Sequence, residues 1–456
     1  MNTSPRRQPP VPGPDQPVRF PAVTRFRLPN GLAVWFVERG QLPFVSVALH
    51  VPAGSAIDPI NLPGVAAFTA DMLDEGAAGR SAIEIQETLG RLGTTLDIEA
   101  GSDAVLLSFS VLPQHARDAC ALVADVVMRP ALTAGDFERV RTLRSNRVRQ
   151  LRNSPAAVAD QAFVQAVFGT HPYGHQPWGL TQAIERMRLE DVVRVHQTAY
   201  HPASCALIVV GSLAAAEVAD MAESAFGAWE SGSDPISDAG RGLTPSSTAS
   251  RLLLVDRPGA AQTELRIGHA SVGRRTPDYH ALVLLNAMLG GQFVSRINLN
   301  LREQKAYTYG AHTAFDFRRA AGAFVLQTSV QTDATTDAIR ESLSEIAAIG
   351  SERPPTANEI EFGRATLARG YARNFETTGQ IARALAQLAT HDLPDDTFDR
   401  FVPGVNAVQA NELRTAARRH LRPDELIVVA VGDRAAIEAG LPTLGLGAPV
   451  VTTVEV

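Results

Sequence analysis

Two pairs of histidines lie close enough in the sequence to be considered as metal ligands, His171 with His175 and His196 with His201. Two histidines on one helix bind a metal when they are four residues apart, because both rings then project from the same face. The first pair lies in HPYGHQPWG, where Pro and Gly predict a loop, and no Cys, Asp or Glu lies beside it. The second pair is five residues apart. We therefore expect no metal site from these residues.

The two cysteines are too few for a disulfide framework or a four-thiolate zinc site. Cys120 falls on an apolar stripe at helical spacing, and Cys205 begins the strand-like run CALIVVG. Because burial in the core is the usual fate of a free cysteine, we predict that both are core residues.

The charge balance, 42 Lys+Arg against 48 Asp+Glu, gives a net charge of −6. There is thus no general basic field to attract nucleic acid or anionic lipid. No apolar run approaches the roughly 20 residues of a membrane helix. We expect neither a nucleic-acid nor a membrane partner. The first residues lack the apolar segment of a secretory signal, as in a cytoplasmic protein, but removal of a leader would be consistent with a periplasmic one, so the location is left open.

Two sequence patterns occur twice along the chain, once in each half. HPASCALIVVG begins at His201 and RPDELIVVAVG begins at Arg422, and the Pro and Gly of the two segments are both separated by 221 residues. LTAGDFERVR and PTANEIEFGR open predicted helices at Thr133 and Thr356, 223 residues apart. We interpret the chain as a duplicated domain.

Within each copy, runs such as 45–51 and 105–112 are rich in β-forming residues, while 113–128 and 337–349 have apolar residues at helical spacing. Short polar connections between neighbouring strands favour antiparallel pairing. The predicted fold class is α+β, with two duplicated domains, each a mostly antiparallel sheet covered by helices on one face.

The predicted domain organisation has four parts. Residues 1–22 form a Pro-rich disordered tail, 23–230 the first domain, 231–250 an exposed linker rich in Gly, Ser, Pro and Asp, and 251–456 the second domain.

The segment 54–76, GSAIDPINLPGVAAFTADMLDEG, has the following frame residues: Gly54-Ser55, Gly64, Ala66, Phe68 and Met72. It resembles the zinc segment of the pitrilysin family of metallopeptidases, in which a glycine-serine turn is followed by G-x-A-H-F-x-E-H-M on a helix. The two family histidines bind zinc, and the glutamate is the general base. The corresponding residues here are Ala67, Ala70 and Asp71. An alanine methyl cannot bind a cation, so the resemblance implies a lost zinc site.

The family's third zinc ligand is a glutamate on a later helix. The corresponding stretch here, LRSNRVRQLRNSP, has Asn146 and Arg147 where acidic residues are expected. The predicted helix 137–152 carries six arginines. We interpret them mainly as a solvated face, and the alternative is a substrate-binding patch.

The segment 285–315 of the second half contains Gly290-Gly291, Ser295-Arg296, Leu301-Arg302-Glu303 and Tyr309. It resembles another part of the same family: a glycine-rich approach, a serine-arginine pair, a helix ending in L-R-E, and a tyrosine on the following strand. Arg302 and Tyr309 are seven residues apart, the spacing of the family's arginine–tyrosine pair. In relatives this pair faces the metal across an enclosed chamber. Relatives commonly have Gly at the position of Ala306, so Tyr307 competes with Tyr309 for the role.

The resemblance implies that Arg302 holds substrate carbonyls and that Tyr309 donates to the oxyanion of the tetrahedral state. Taken singly, an arginine near a helix C-terminus could complement the helix dipole, and a strand tyrosine could point its hydroxyl into water. The frame around the two residues favours the functional interpretation.

The resemblance covers nearly the whole chain, from RLPNGLAVWFVE at Arg27 to the terminal VVAVGD. It implies a non-zinc subunit that is inactive alone and forms a heterodimer with a homologous H-x-x-E-H chain, which carries the zinc. The expected substrates are peptides or unfolded segments. Two alternatives remain, a catalytically silent structural scaffold and a module that binds peptides without cleaving them.

Overall fold

The computed structural model describes residues 18–40, 42–230, 243–245, 247 and 250–452. Most of the predicted linker and the first 17 residues of the predicted tail lie outside the described residues.

The strands are β1 Thr24–Arg27, β2 Ala33–Glu38, β3 Val45–Val51, β4 Gly76–Ala77, β5 Arg80–Ser81, β6 Asp97–Ala100, β7 Val105–Val111, β8 Ala206–Gly211, β9 Leu252–Asp256, β10 Gln262–Ser271, β11 Ala311–Asp316, β12 Gly322–Gln331, β13 Ile427–Gly432 and β14 Val450–Thr452.

The helices are α1 Val65–Asp71, α2 Ala82–Arg91, α3 Ala116–Met128, α4 Ala134–Arg152, α5 Pro155–Phe168, α6 Thr181–Arg186, α7 Leu189–Ala199, α8 Ala215–Phe226, α9 Tyr279–Leu289, α10 Arg296–Asn298, α11 Thr335–Ile349, α12 Ala357–Gly370, α13 Thr378–His391, α14 Phe401–Ala407, α15 Ala410–His420 and α16 Arg434–Ile437. A π-helical turn, Leu299–Gln304, follows α10.

Two six-stranded sheets have the same topology apart from one edge strand. The first has the order β1-β2-β8-β3-β7-β6, and the second, taken from its other end, has β14-β9-β13-β10-β12-β11. In both sheets one central pair is parallel, β2 with β8 and β9 with β13, and the next three pairs are antiparallel. The outermost strands differ, because β1 is antiparallel to β2 whereas β14 is parallel to β9. This topology confirms the predicted α+β fold with two copies of a mostly antiparallel sheet.

Each sheet packs its own helices on one face and a helix of the other half on the opposite face. Helix α13 of the second half lies against β3 and β8, and helix α5 of the first half lies against β10 and β13. Gly268 of β10 shows how closely α5 approaches, since an added Cβ would lie 2.9 Å from Cζ of Phe163. The two halves are therefore interlocked through exchanged helices.

This exchange explains why β3 is buried along its whole length. Val47 and Leu49 face the helices of the first half, while Ala48 packs into the cluster around α13. Two polar side chains on the α13 side are paired across the halves. Ser46 Oγ lies 2.7 Å from Thr378 Oγ1, and His50 Nε2 lies 3.0 Å from Thr390 Oγ1.

The predicted disordered tail, 1–22, is too long at its end, because residues 18–22 pack against the second half through Phe20. Phe20 is buried, its ring lies 5.1 Å from that of Phe375 and 4.8 Å from that of Phe398, and its backbone N–H donates to Asp399 at 2.6 Å. A single aromatic residue thus anchors the end of the tail to the second half.

Both cysteines are buried, as predicted, and burial raises the pKa of each thiol to about 12. Across the described part of the chain, no helix combines the length and apolar character needed to cross a membrane.

Candidate functional site

The segment that resembles a zinc site forms the short helix α1. Ala67 and Ala70 are buried, while the Asp71 side chain is about half exposed. The helix begins after Gly64, whose φ of 96° requires glycine and whose added Cβ would lie 2.6 Å from Gly179 Cα. The helical frame of a zinc site is thus present, and its ligating side chains are absent.

An ion pair joins α1 to α4 at this place. Arg144 donates from Nη1 to Asp71 Oδ2 and from Nη2 to the Pro177 carbonyl at 2.8 Å. Asn146 and Arg147, the residues expected opposite α1, are exposed instead. The face of α4 that packs on α1 carries Arg144, two residues before Asn146 and three before Arg147. Arg144 is one of the six arginines interpreted as a solvated face, and it is 8% exposed.

The carboxyl group of Asp58 lies at the N-terminal end of α1 and was not singled out from the sequence. It accepts hydrogen bonds from the Gly64 N–H at 2.6 Å and the Ala66 N–H at 2.8 Å. Burial nevertheless raises its pKa to about 7, because desolvation outweighs these bonds and the charge of Arg144. His175 Nε2 lies 3.7 Å away, and burial lowers the pKa of that imidazole.

The four histidines considered as metal ligands make other contacts. Nδ1 of His171 accepts from the Tyr173 N–H at 3.1 Å, and His196 Nε2 lies 2.7 Å from the Val127 carbonyl. His201 is buried. Among the described residues, no three His, Cys, Asp or Glu side chains are grouped so that they could hold a metal ion. Zinc therefore does not fit the first half as this chain builds it.

Arg302 lies in the π-helical turn Leu299–Gln304, where the Lys305 N–H bonds to the Asn300 carbonyl at 3.0 Å, five residues back. Such turns are rare and occur frequently at functional sites. The guanidinium Cζ lies 3.6 Å from the centroid of the Phe293 ring, and Nη2 lies 3.3 Å from Glu303 Oε1. Nη1 is buried and has no hydrogen-bond partner among the described residues.

Tyr309 is 93% exposed and lies in the loop before β11, not on the strand as predicted. Its phenol makes no hydrogen bond within the described part of the chain. Tyr307 is partly buried against the core of the second half, and its N–H donates to the Leu301 carbonyl at 2.9 Å. The two tyrosines compared from the sequence are thus in different surroundings, since Tyr307 is partly buried and Tyr309 is exposed.

Ala306 has a φ of 56°, in the left-handed region. The turn from helix to strand is therefore built in a conformation that glycine adopts without strain, although the residue is alanine.

A groove of about 490 Å³ lies on the face of the second sheet next to this loop. Its lining includes Gly291, Phe293 and Gly310 at the rim, and Glu264, Arg266, His312 and Gln327 from the strands. Phe293, which contacts Arg302, and Gly310, which follows Tyr309, line this groove, whereas Arg302 and Tyr309 themselves do not.

The outer edge of β11 is already hydrogen-bonded at its start. Asn298 accepts from the Ala311 N–H at 2.8 Å and donates to its carbonyl at 2.7 Å, and the Thr313 N–H donates to the Gly290 carbonyl at 3.1 Å. Gly290 is required here, because an added Cβ would lie 2.5 Å from Thr313 Oγ1. An extended ligand would therefore lie in the groove rather than pair with the first residues of β11.

Comparisons with known proteins identify similar sequences and similar structures. Residues 34–177 match the family model for insulinase, peptidase family M16, and residues 186–367 match the model for the peptidase M16 inactive domain. An uncharacterized zinc protease of Mycobacterium tuberculosis is 24% identical over 409 residues, which cover 90% of this chain and 93% of that protein. A probable mitochondrial-processing peptidase subunit beta of Arabidopsis thaliana is 20% identical over 414 residues, with 89% and 77% covered.

Among solved structures, a peptidase M16 inactive domain from Pseudomonas fluorescens matches with a TM-score of 0.84 and 25% sequence identity, covering 90% of this chain and 98% of that one. A protease from Helicobacter pylori matches with a TM-score of 0.81 at 16% identity, covering 90% and 99%, which shows the shared fold.

Proposed function

The chain belongs to the M16 family of peptidases, and on that premise we propose that it is the non-zinc subunit of a two-chain zinc peptidase. A homologous chain with an intact H-x-x-E-H motif would be its partner. This chain would close the chamber around the substrate and contribute Arg302 and Tyr309 to it.

The observation that supports the proposal is the contrast between the two halves. In the first half an arginine–aspartate pair and two buried alanines occupy the place of a metal site. In the second half Arg302 has a buried nitrogen without a hydrogen-bond partner among the described residues, and Tyr309 has an exposed phenol. Their neighbours Phe293 and Gly310 line a groove. A scaffold has no need of these free donors. The relative from Arabidopsis is itself named as a subunit.

Each residue would have a distinct task. Hydrolysis of a peptide bond places negative charge on the carbonyl oxygen in the tetrahedral state, and a phenol O–H aimed at that oxygen stabilises this state more than the substrate. The planar guanidinium of Arg302 can donate to backbone carbonyls and hold the peptide in place. The partner's zinc would supply the activated water.

The proposal is tested with the tagged chain purified from its source cells together with the chain that copurifies with it. Hydrolysis of an unstructured peptide and zinc content are measured for each chain alone and for the complex. We expect hydrolysis only by the complex, and zinc only in preparations that contain the partner.

Variants of this chain then separate the roles. Tyr309→Phe should lower kcat by about 10²–10³, the usual cost of losing one oxyanion donor, and Arg302→Ala should raise KM. Tyr307→Phe and the exposed Arg147→Ala are matched controls that should change little.

Three results would contradict the proposal. A complex no faster than the partner alone would favour the scaffold, and tight peptide binding without cleavage by the complex would favour the peptide-binding module. Zinc binding and cleavage by this chain alone would show that the first half is not a lost site.

A further inference from the structure

The ring of Phe293 is 66% exposed although it is a large apolar side chain. It lies in the connection between α9 and α10 and does not belong to the buried core of the second half. Exposed apolar area of this kind contributes little to folding, since the stabilisation comes from area removed from water. Core packing therefore does not explain a phenylalanine here.

The contact that Phe293 does make is with Arg302, whose guanidinium Cζ lies 3.6 Å from the ring centroid. At this distance the planar group can lie on the face of the ring, and its N–H donors then remain free at its edge. The other charged contact of Arg302 is the ion pair with Glu303 at 3.3 Å, whose carboxylate is half exposed. Exposed ion pairs of this kind fix a side chain weakly, because water and salt screen them.

We propose that Phe293 is a positioning residue for Arg302. Its ring fixes the plane of the guanidinium and so the direction of the N–H donors that would meet substrate carbonyls; Nη1 is buried and has no hydrogen-bond partner among the described residues. This inference rests on the proposed function, in which Arg302 holds the peptide. Phe293 itself lines the groove.

One experiment measures peptide hydrolysis by the complex with Phe293→Ala in this chain. Loss of a partly exposed cation–π contact should raise KM by about two- to fivefold and leave kcat nearly unchanged, because the arginine holds substrate and transition state alike. Phe293→Tyr and Phe293→Trp should restore KM, since both provide a ring face. Val294→Ala is the matched control, because Val294 is the next residue and is also exposed. The unfolding midpoint should be the same for all four variants.

A second measurement uses this chain alone, so it does not depend on a partner. With isotope-labelled arginine, the Nε–Hε signal of Arg302 should carry a ring-current shift that Phe293→Ala removes and Val294→Ala preserves. In the hydrolysis assay, Phe293→Ala should add nothing to Arg302→Ala, because the two residues act as one unit.

The outcomes separate this inference from the proposed function. If Phe293→Ala leaves KM or the Arg302 signal unchanged, or if Phe293→Tyr fails to restore KM, Phe293 does not position Arg302. If Arg302→Ala and Tyr309→Phe leave hydrolysis unchanged, the proposed function fails and the positioning role fails with it, whatever the signal shows.

Discussion

Restoring metal ligands on α1 would also require breaking the ion pair between Asp71 and Arg144. Arg144 is buried, and besides Asp71 it donates a hydrogen bond to the Pro177 carbonyl. Replacing Asp71 with a metal-binding histidine would leave the buried Arg144 guanidinium without this ion pair, which should destabilise the protein. A metal ion placed there would also be repelled by the guanidinium. Introducing ligand side chains alone would therefore not make a metal site here, because the Arg144–Asp71 ion pair occupies the place.

Ala306 allows a stability test at a single residue. Its φ of 56° destabilises the folded state by about 1–2 kcal/mol for a residue with a Cβ, whereas glycine has no such steric cost. Ala306→Gly should therefore raise the free energy of unfolding by about 1 kcal/mol, measured by urea denaturation. Ala219→Gly, within α8, should lower it by about 1 kcal/mol. Equal losses in both variants would show that the turn is not strained.

At the level of elements, two short helices carry the features that matter. Helix α1 retains the frame of a zinc helix, and its free N–H groups at Gly64 and Ala66 are satisfied by the buried Asp58. The π-helical turn Leu299–Gln304 sets the direction in which Arg302 leaves the chain. The N-terminal end of α1 positions the Gly64 and Ala66 N–H groups for Asp58, and the π-helical turn after α10 positions Arg302.

Asp58 makes the stability of the α1 region depend on pH. Its pKa is near 3.8 in the unfolded chain and is raised to about 7 by burial in the folded one. The folded state therefore binds the proton more tightly, and this contribution to stability grows as pH falls from about 7 towards 4 and is lost as pH rises through 7.

The destabilisation caused by Asp58→Asn should accordingly be larger at pH 5 than at pH 7, by about 2 kcal/mol. Urea denaturation at both pH values measures it, and Asp333→Asn, at an exposed position, is the control. His175 titrates in the opposite sense because its pKa is lowered, so the comparison is made between variants and not on the parent protein alone. An equal cost at both pH values would contradict the buried-acid assignment.

At the scale of the whole molecule, the exchange of α5 and α13 makes each half part of the other's core. The hydrophobic cluster of the first half includes Val325 and Val429 of the second sheet. Neither half can lose its structure without exposing a sheet face of the other. The two copies should therefore unfold as one cooperative unit.

Tryptophan fluorescence can measure whether the two halves unfold together, because Trp35, Trp178 and Trp229 all lie in the first half. Leu326→Ala, at a fully buried position of the second half, should destabilise the protein by about 3 kcal/mol and shift the tryptophan-fluorescence midpoint as much as the circular-dichroism midpoint. Phe362→Ala, at an exposed position, should shift neither. Two separate transitions, with the fluorescence midpoint unmoved, would show independent halves.

Local features were predicted well from the residues. The run 45–51 is a strand with the predicted bounds, and 113–128 is helical apart from a short 3₁₀ turn at its start. The domain boundaries stay a prediction, since most of the linker lies outside the described residues. The tasks assigned to Arg302 and Tyr309 stay a prediction as well.

The sequence by itself determined that Ala67 and Asp71 stand where the resemblance expects zinc-binding histidines and Ala70 where it expects the glutamate base. It also determined that the domain is duplicated and that an arginine and a tyrosine stand at a recognisable spacing. Each of these depends on residue identity and on short periods along the chain. Only the tertiary structure decided that Arg144 pairs with Asp71, that α5 and α13 exchange sheets, and that Arg302 lies on Phe293 while Tyr309 is free. These contacts depend on how distant elements pack, and a periodic pattern records which face of an element is buried but not what covers it.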